Sequence, residues 1–426
     1  MRPVRLPRPL RGIAGIATGS VAGQAVVLLT YPLLTRLYDP AGFGLLTVFT
    51  AVASMIAVAS TGSLEVAVPL PERDREATAV AWAALAFVAA TGLLTAAVGL
   101  VAAQPLAVLL GVPQLAGYWW LVPITVVALG TYLVLSDWMV RDRSYGALGR
   151  RNLLQGVGQA GTQLGLGLAG AGPVGLLLGL GAGRVAALGG LLSRRGLLRQ
   201  PRTSPAGMRA AVRRFRRFPL VAMPSALINS AGIEVPLLLV AARYGEVPAG
   251  LLGLTVRVVA GPSLVLGQAA YQVFSGESGA AIRGADAVIG RTVRTSVRRL
   301  LLVGAVPAAV VLAAGPALFG LVFGAAWTAA GEYARLLAPA YLLQFAVTPV
   351  SATLFLLERQ HQELAWVVFR LLLTAGGPLA CGLTGAPVWA AVAALSAGHV
   401  VSYLVLYRLC VRAADKADLG FRPRTR

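Results

Sequence analysis

PAGFGLLTV, residues 40–48, returns as PAGLLGLTV at residues 248–256. Six of the nine positions coincide without a gap, 208 positions apart in a chain of 426 residues. Whether these are two copies of one turn decides how the rest of the chain is organised. Hydrophobic residues make up 57% of the chain and charged residues 12%, about half the charge of a typical soluble domain. Apolar runs of 20 residues and more recur from end to end. That pattern predicts an all-α, polytopic integral membrane protein.

At about 20 residues per membrane-crossing helix, the runs predict twelve spans. The first six are 12–35, 43–69, 77–101, 118–140, 152–171 and 173–193; the second six are 219–242, 249–274, 297–322, 334–357, 364–384 and 387–410. Placing the N-terminus inside puts Arg73, Arg75, Arg141, Arg143, Arg150, Arg151, the linker arginines, Arg283–Arg299, Arg359 and the basic tail in inner loops. The outer loops then keep only Arg36 and Arg243. Cationic loops stay cytoplasmic, so both termini are expected inside. The two related turns both fall on the outer side, the first between spans one and two, the second between spans seven and eight. Arg36 and Arg243 precede them, and Pro32 matches Pro236 if four residues are inserted. The chain therefore reads as two six-helix bundles, 1–193 and 219–412, joined by a basic cytoplasmic linker, 194–218, and followed by a basic tail, 413–426. Six spans per half make these parallel repeats about an axis along the membrane normal.

The formal net charge is +21, with 36 arginines against the single Lys416. Such a balance can mark nucleic-acid binding. Here the arginines lie between apolar runs, where they face anionic lipid and set orientation, so no nucleic acid is expected. RRFRRF (213–218), after Met208, Ala211 and Val212, reads either as a basic amphipathic helix at the inner leaflet or as a solvated tether. Arg2, Arg5, Arg8 and Arg11 precede an apolar run reaching Leu34, too long for a signal-peptide core, so a retained first helix is expected. Cys381 and Cys410 sit at opposite ends of the last two runs and should not form a disulfide.

GVGQAG (156–161) fits a dinucleotide fingerprint but lies in a span with no preceding strand. Its glycines read better as packing surface: Gly161 and Gly165, and Gly175, Gly179 and Gly183, recur at four-residue spacing, which lets helices approach closely. No Walker lysine motif, HExxH, Cys/His cluster or DxD occurs, and no catalytic residue, metal or cofactor is expected. Gln155, Gln159 and Gln163 fall at i, i+4 and i+8 as one stripe, and Gln268 and Gln272 flank Tyr271. Amides facing lipid are costly, so these either bond other helices or line a sugar-facing cavity. Glu65, Arg184, Glu234, Arg257 and Arg370 fall within spans, Asp137 and Arg335 nearer span ends. Such charges either pair structurally or face a hydrated cavity. Glu234 with Arg257, and Glu65 with Arg370, share depths. Arg184 has no carboxylate at its depth. His399, mid-span, is either a packed residue or a proton relay.

RLYDPAGFGLL (36–46), the carboxylate within SLEVAVPLP (63–71) and WMVRDRSYGALGRRNLLQGVGQ (138–159) resemble the polysaccharide-export, Wzx-like flippases of the MATE/MOP exporter superfamily. So do FPLVAMPSALINS (218–230), VFGAAWTAAGEYARLLAPAYLLQFAVTPVS (322–351) and LLERQ (356–360). The resemblance implies two six-helix lobes around a V-shaped cavity. It implies alternating access that moves polyprenyl-diphosphate-linked oligosaccharide from the inner to the outer leaflet of a bacterial or archaeal plasma membrane. Arg184, Arg257 and Arg370 would receive the anionic head group. Glu65, Glu234 and His399 would be candidates for coupling to H+ or Na+, and polysaccharide polymerase or export machinery would be partners. Some members carry extra C-terminal spans that form a lipid groove; twelve spans leave none. A multidrug exporter of the same fold would favour cavity carboxylates, and a membrane polysaccharide polymerase or ligase would need a large reactive outer loop.

Overall fold

The computed structural model describes residues 8–192, Leu197, 203–284 and 288–421. Arg2, Arg5, the linker residues 193–196 and 198–202 and the tail beyond Phe421 lie outside them. Among the described residues there are helices and turns and no strand. The main helices are α1 (Arg8–Leu37), α2 (Pro40–Ser60), α3 (Asp74–Leu109), α4 (Leu121–Arg141), α5 (Tyr145–Leu168), α6 (Val174–Leu192), α7 (Pro205–Arg214), α8 (Met223–Tyr244), α9 (Glu246–Arg283), α10 (Ile289–Phe323), α11 (Thr328–Val347), α12 (Gln360–Leu383) and α13 (Val388–Phe421). Each of the twelve expected spans overlaps one of these, α7 being the exception that lies between spans. Ten of the helices are long and apolar enough to cross a membrane. The other two are α6, whose described apolar part is short, and α5, diluted by Arg150, Arg151, Asn152 and three glutamines. The protein is an all-α, multi-pass membrane protein. Leu93, Leu100 and Val101 of α3 and Leu302 and Val306 of α10 stand exposed, as a lipid-facing surface does.

Contacts divide the chain into two compact units, Met1–Gly250 and Leu251–Arg426. In the first unit, α8 packs along α2, and α5 packs on both α1 and α6. Asp39 caps α2 by accepting the Gly42 amide at 2.8 Å, and Pro40 occupies the first turn, where its missing N–H costs nothing. The repeated turns meet here directly. A methyl group at Gly250 would strike the Pro40 carbonyl, and one at Gly44 the Glu246 carbonyl. Each glycine lets one backbone rest on the other.

Two boundaries differ from expectation. The second span was expected to run through residue 69, but α2 stops at Ser60. Gly62 (φ 62°) and Ser63 (φ 55°) turn the chain in the left-handed region, so Glu65 lies in the connection 61–73. The last helix was expected to end near 410, but α13 continues to Phe421. Its acids hold it there: the Asp418 carboxylate accepts the Ile289 and Gly290 amides at 2.9 Å each, capping α10, and Asp415 pairs with Arg294 at 2.6 Å.

The described part of the linker is helical. Ser204 caps α7 by accepting the Gly207 amide at 3.2 Å. Met208 and Val212, with Phe215 and Phe218 just after the helix, pack against an apolar core built from Leu64, Val68, Val80, Val134 and Trp138. Arg214 pairs with Glu76. The apolar face of RRFRRF and its preceding turn is thus spent on the protein itself. Cys381 and Cys410 are free.

Candidate functional site

In the first unit, four helices and one connection bring polar side chains together. Tyr132 and Ser136 lie one turn apart on α4, and Asp137 follows. Arg151 and Asn152 are on α5, Arg184 on α6 and Ser20 on α1. Asn152 organises the cluster. Its Oδ1 accepts from the Tyr132 hydroxyl at 3.2 Å and from Arg151 Nε and Nη2 at 3.1 and 2.8 Å. Its Nδ2 donates to Ser20 Oγ at 2.6 Å. Arg151 Nη1 also donates to Ser136 Oγ, and Ser136 donates to the Tyr132 carbonyl. The two guanidinium groups share one aromatic ring. Arg151 Cζ lies 4.2 Å, and Arg184 Cζ 4.9 Å, from the Tyr132 ring centroid. A desolvated cation over a ring is stabilised by its quadrupole, worth up to about 2 kcal/mol. Two cations on one ring still repel each other, and Arg151 has Asp137 as an electrostatic counterweight.

Arg184 is the less satisfied of the two: its buried Nε has no hydrogen-bond partner among the described residues. An unmet donor on a buried cation is costly, and an anionic oxygen is the group that satisfies it. Glu65 interacts electrostatically with Asp137, and its Oε2 is likewise buried without a hydrogen-bond partner. Burial holds the Glu65 carboxyl above the usual carboxylate range, against a hydrogen bond from Thr61 that lowers it.

The glutamine stripe of α5 runs along α6. Gln163 donates from Nε2 to the Leu176 carbonyl at 3.0 Å, and its Oε1 is buried without a hydrogen-bond partner among the described residues. A methyl at Gly179 would strike Gln163, and one at Gly183 would meet Gln159 Cβ and the Gln155 carbonyl at 2.8 Å. Gln155 and Gln159 are half-buried. The glycines of α6 thus let the helices approach, as their spacing predicts. On α5 the close contacts are made by Gly156 against Gly23 of α1 and Gly158 against α6, while Gly161 and Gly165 face open space. Glu234, on α8, is half-buried.

In the second unit, Arg370 of α12 is 7% exposed and lies 5.0 Å from the Trp366 ring centroid. Trp366 Nε1 donates to the Ser402 carbonyl at 2.7 Å. The His399 ring stacks on Tyr403 at 6.1 Å and faces Tyr341 at 6.3 Å, and its Nδ1 is buried without a hydrogen-bond partner among the described residues. Arg257 is half-buried on α9, where Gln268 and Gln272 are exposed. Gln268 and Tyr271 line a cavity of about 300 Å³ with Gln344 and Thr348 of α11 and the turn after it. Among the described residues no group of His, Cys, Asp and Glu has the arrangement to hold a metal ion.

The family model of polysaccharide biosynthesis proteins matches residues 33–332. The chain belongs to that family. No curated protein gives a significant match. Among solved structures, a lipid II flippase, MurJ, in an inward closed conformation aligns over 97% of this chain and 90% of its own (TM-score 0.69, 10% identity). An inward-facing multidrug resistance MATE-family transporter of the MOP superfamily aligns over 95% and 94% (TM-score 0.64, 16% identity). A MOP superfamily transporter from Pyrococcus furiosus, described as having a binding pocket of reversed polarity, aligns over 95% and 96% (TM-score 0.60, 17% identity). At such identities the likeness speaks for the fold, which is that of the MATE/MOP transporters.

Five members of the first-unit cluster escape the sequence as site residues: Ser20, Tyr132, Ser136, Arg151 and Asn152. Arg151 precedes the expected start of its span by one residue and so reads as a loop cation. Tyr132 is one aromatic in an apolar run. Asn152 does carry a signal, since it shares a face with Gln155 and Gln159 at i, i+3 and i+7.

Proposed function

We propose that this member of the polysaccharide biosynthesis family is a flippase. It moves polyprenyl-diphosphate-linked oligosaccharide from the inner to the outer leaflet of a prokaryotic plasma membrane by alternating access of two six-helix lobes, with both termini in the cytoplasm. The observation that carries the reading is the pair of buried guanidinium groups on the Tyr132 ring, one of them with an unmet donor, inside a transporter fold of a glycan-biosynthesis family. A sugar head group cannot cross hydrocarbon because its hydroxyls would lose water without replacement. A polar interior supplies the replacement while the lipid tail stays in the bilayer, and no bond is made or broken. In this reading Arg184 and Arg151 receive the diphosphate of the head group, and Arg257 and Arg370 are further candidates for anionic groups of the substrate. Gln155, Gln159, Gln163, Gln268 and Gln272 take sugar hydroxyls, and Glu65, Glu234 and His399 are the groups through which H+ or Na+ is coupled.

A MATE-type cation antiporter is the second reading, favoured by the facing carboxylates Glu65 and Asp137. Proteoliposomes separate the two. Polyprenyl-diphosphate-linked oligosaccharide is loaded inside, and its appearance is followed with an external glycan-cleaving enzyme. Wild type exposes the glycan, and Arg184→Ala slows exposure by at least tenfold. Wild type that exposes no glycan while extruding cationic dyes overturns the flippase reading.

A further inference from the structure

Two adjoining cavities in the second unit have opposite character. The first, about 330 Å³, is apolar: Val259 and Leu266 of α9, Pro307 and Ala308 of α10, and Tyr341 and Phe345 of α11 are among its walls. The second, about 300 Å³, is the polar one carrying Gln268, Tyr271, Gln344 and Thr348. Ser263 and Phe345 belong to the walls of both, so one ligand can span them. We infer that this paired cavity holds the start of a polyprenyl-phosphate lipid: the first isoprene units in the apolar chamber, the oxygen-rich head at the polar one. The inference rests on the flippase reading above for the identity of the lipid.

The sequence builds the apolar chamber by removing bulk from α10. Gly304 admits the Leu342 and Phe345 side chains against the helix backbone. Pro307 has no amide, so the Val303 carbonyl one turn earlier lacks its helical donor. Both residues line the chamber. Val303 and Leu266 are mostly exposed, so the chamber opens sideways, toward acyl chains, and a tail can enter without leaving hydrocarbon. The polar chamber is short of ligands rather than of groups: Thr348 Oγ1 is buried with no hydrogen-bond partner among the described residues. Among the described residues no Asp or Glu lines either chamber. That electrostatic setting disfavours a cationic amphiphile and suits a lipid whose head carries anionic oxygens. Each chamber lies near the small end of ligand sites, about 300–1,000 Å³, so the apolar one takes a few isoprene units and the remaining tail stays in the bilayer.

The test uses the full chain in nanodiscs and two photoreactive probes. One is a sugar-free polyprenyl diphosphate with a diazirine in its first isoprene units; the other is a phosphatidylglycerol with a diazirine in one acyl chain. The prenyl probe is expected to label peptides of α9, α10 and α11, to be competed by unlabelled polyprenyl diphosphate, and to lose at least tenfold of that labelling in Val259→Phe, which fills the apolar chamber. Thr348→Val, which keeps the shape of the side chain and removes a hydroxyl with no hydrogen-bond partner among the described residues, is expected to weaken labelling about threefold. Glycan flipping should fall in parallel. Equal labelling of the same peptides by the phospholipid probe overturns the inference, as does wild-type labelling or wild-type flipping in both variants. A chain that flips no glycan but keeps competed prenyl labelling loses the flippase reading and keeps this site.

Discussion

Removing the Asn152 side chain tests whether the first-unit cluster is held by one amide. Asn152→Ala deletes the only carbonyl among the described residues that accepts from Arg151 Nε and Nη2, at 3.1 and 2.8 Å. Arg151 is 9% exposed, so water cannot readily replace that acceptor. A hydrogen bond to a charged group contributes about 1.5–3 kcal/mol, and a stranded buried donor costs a similar amount. The Ser20 and Tyr132 bonds add about 1 kcal/mol between them once their coupling through one side chain is allowed for. The expected loss is about 3 kcal/mol, roughly two decades in the folding equilibrium. Circular dichroism during SDS titration of detergent-solubilised protein measures it. Asn152→Asp is the informative companion. It keeps the acceptor but gives up the Nδ2 donation to Ser20, and the gain of a buried charge pair is offset by its desolvation, so stability should fall by less than in Asn152→Ala; it places a carboxylate on Arg151 and should slow glycan flipping at least tenfold. An Asn152→Ala protein as stable as wild type refutes the account of the cluster. An Asn152→Asp protein that flips at the wild-type rate refutes its role in receiving an anion.

Other substitutions separate the remaining contacts. Gly250→Ala pushes a methyl into the Pro40 carbonyl and is expected to cost about 1–3 kcal/mol or more. Gly161→Ala, in open space, should be neutral or slightly stabilising; fluorescence-detected size-exclusion after heating ranks the two. Glu65 has a raised carboxyl pKa in the fold, so its ionisation opposes folding. Stability at this group is full below the ordinary value of 4.5 and falls as pH rises through the raised one. Glu65→Gln should therefore be more stable than wild type at pH 8 and equal to it near pH 4, and a constant difference across that range contradicts the burial argument. Arg214→Ala breaks an exposed ion pair and should change stability by less than about 1 kcal/mol. Met208→Asp puts a charge into the core beneath α7 and should release the helix to protease at Arg209 and Arg213, whereas continued resistance there would mean the apolar face is not what docks it.

The spans were legible because each is an apolar run about 20 residues long, a signal that lipid makes nearly unavoidable. Their ends were less so, for local reasons. Hydropathy averages over Thr61-Gly62-Ser63, where two left-handed residues stop α2, and it reads Asp415 and Asp418 as tail because it cannot see the Arg294 side chain that the first pairs with or the α10 amides that the second caps. The same one-residue uncertainty cost the site its second arginine. A span begun at Asn152 leaves Arg151 in a loop, while a helix begun at Tyr145 turns it onto Tyr132. Arg184 was visible because a cation mid-span is rare. The ring that carries it was not, since nothing in the sequence of α4 distinguishes Tyr132 from a membrane-facing aromatic. The glutamines announced themselves by their spacing, but which helix they would face depended on the glycines of α6.

The crossing at Gly44 and Gly250 has a consequence for inheritance. Two main chains rest on each other there, so the contact tolerates no side chain on either partner, and a change at one glycine cannot be offset by a change at the other. The constraint binds positions 206 residues apart in the chain, one in each copy of the repeated turn. Gly250 matches Gly42 in the repeat, but the place of Gly44 is taken by Leu252 in the second copy, so if both copies descend from one segment, the close approach at Gly44 belongs to one copy alone and holds the glycine there while its counterpart was free to change.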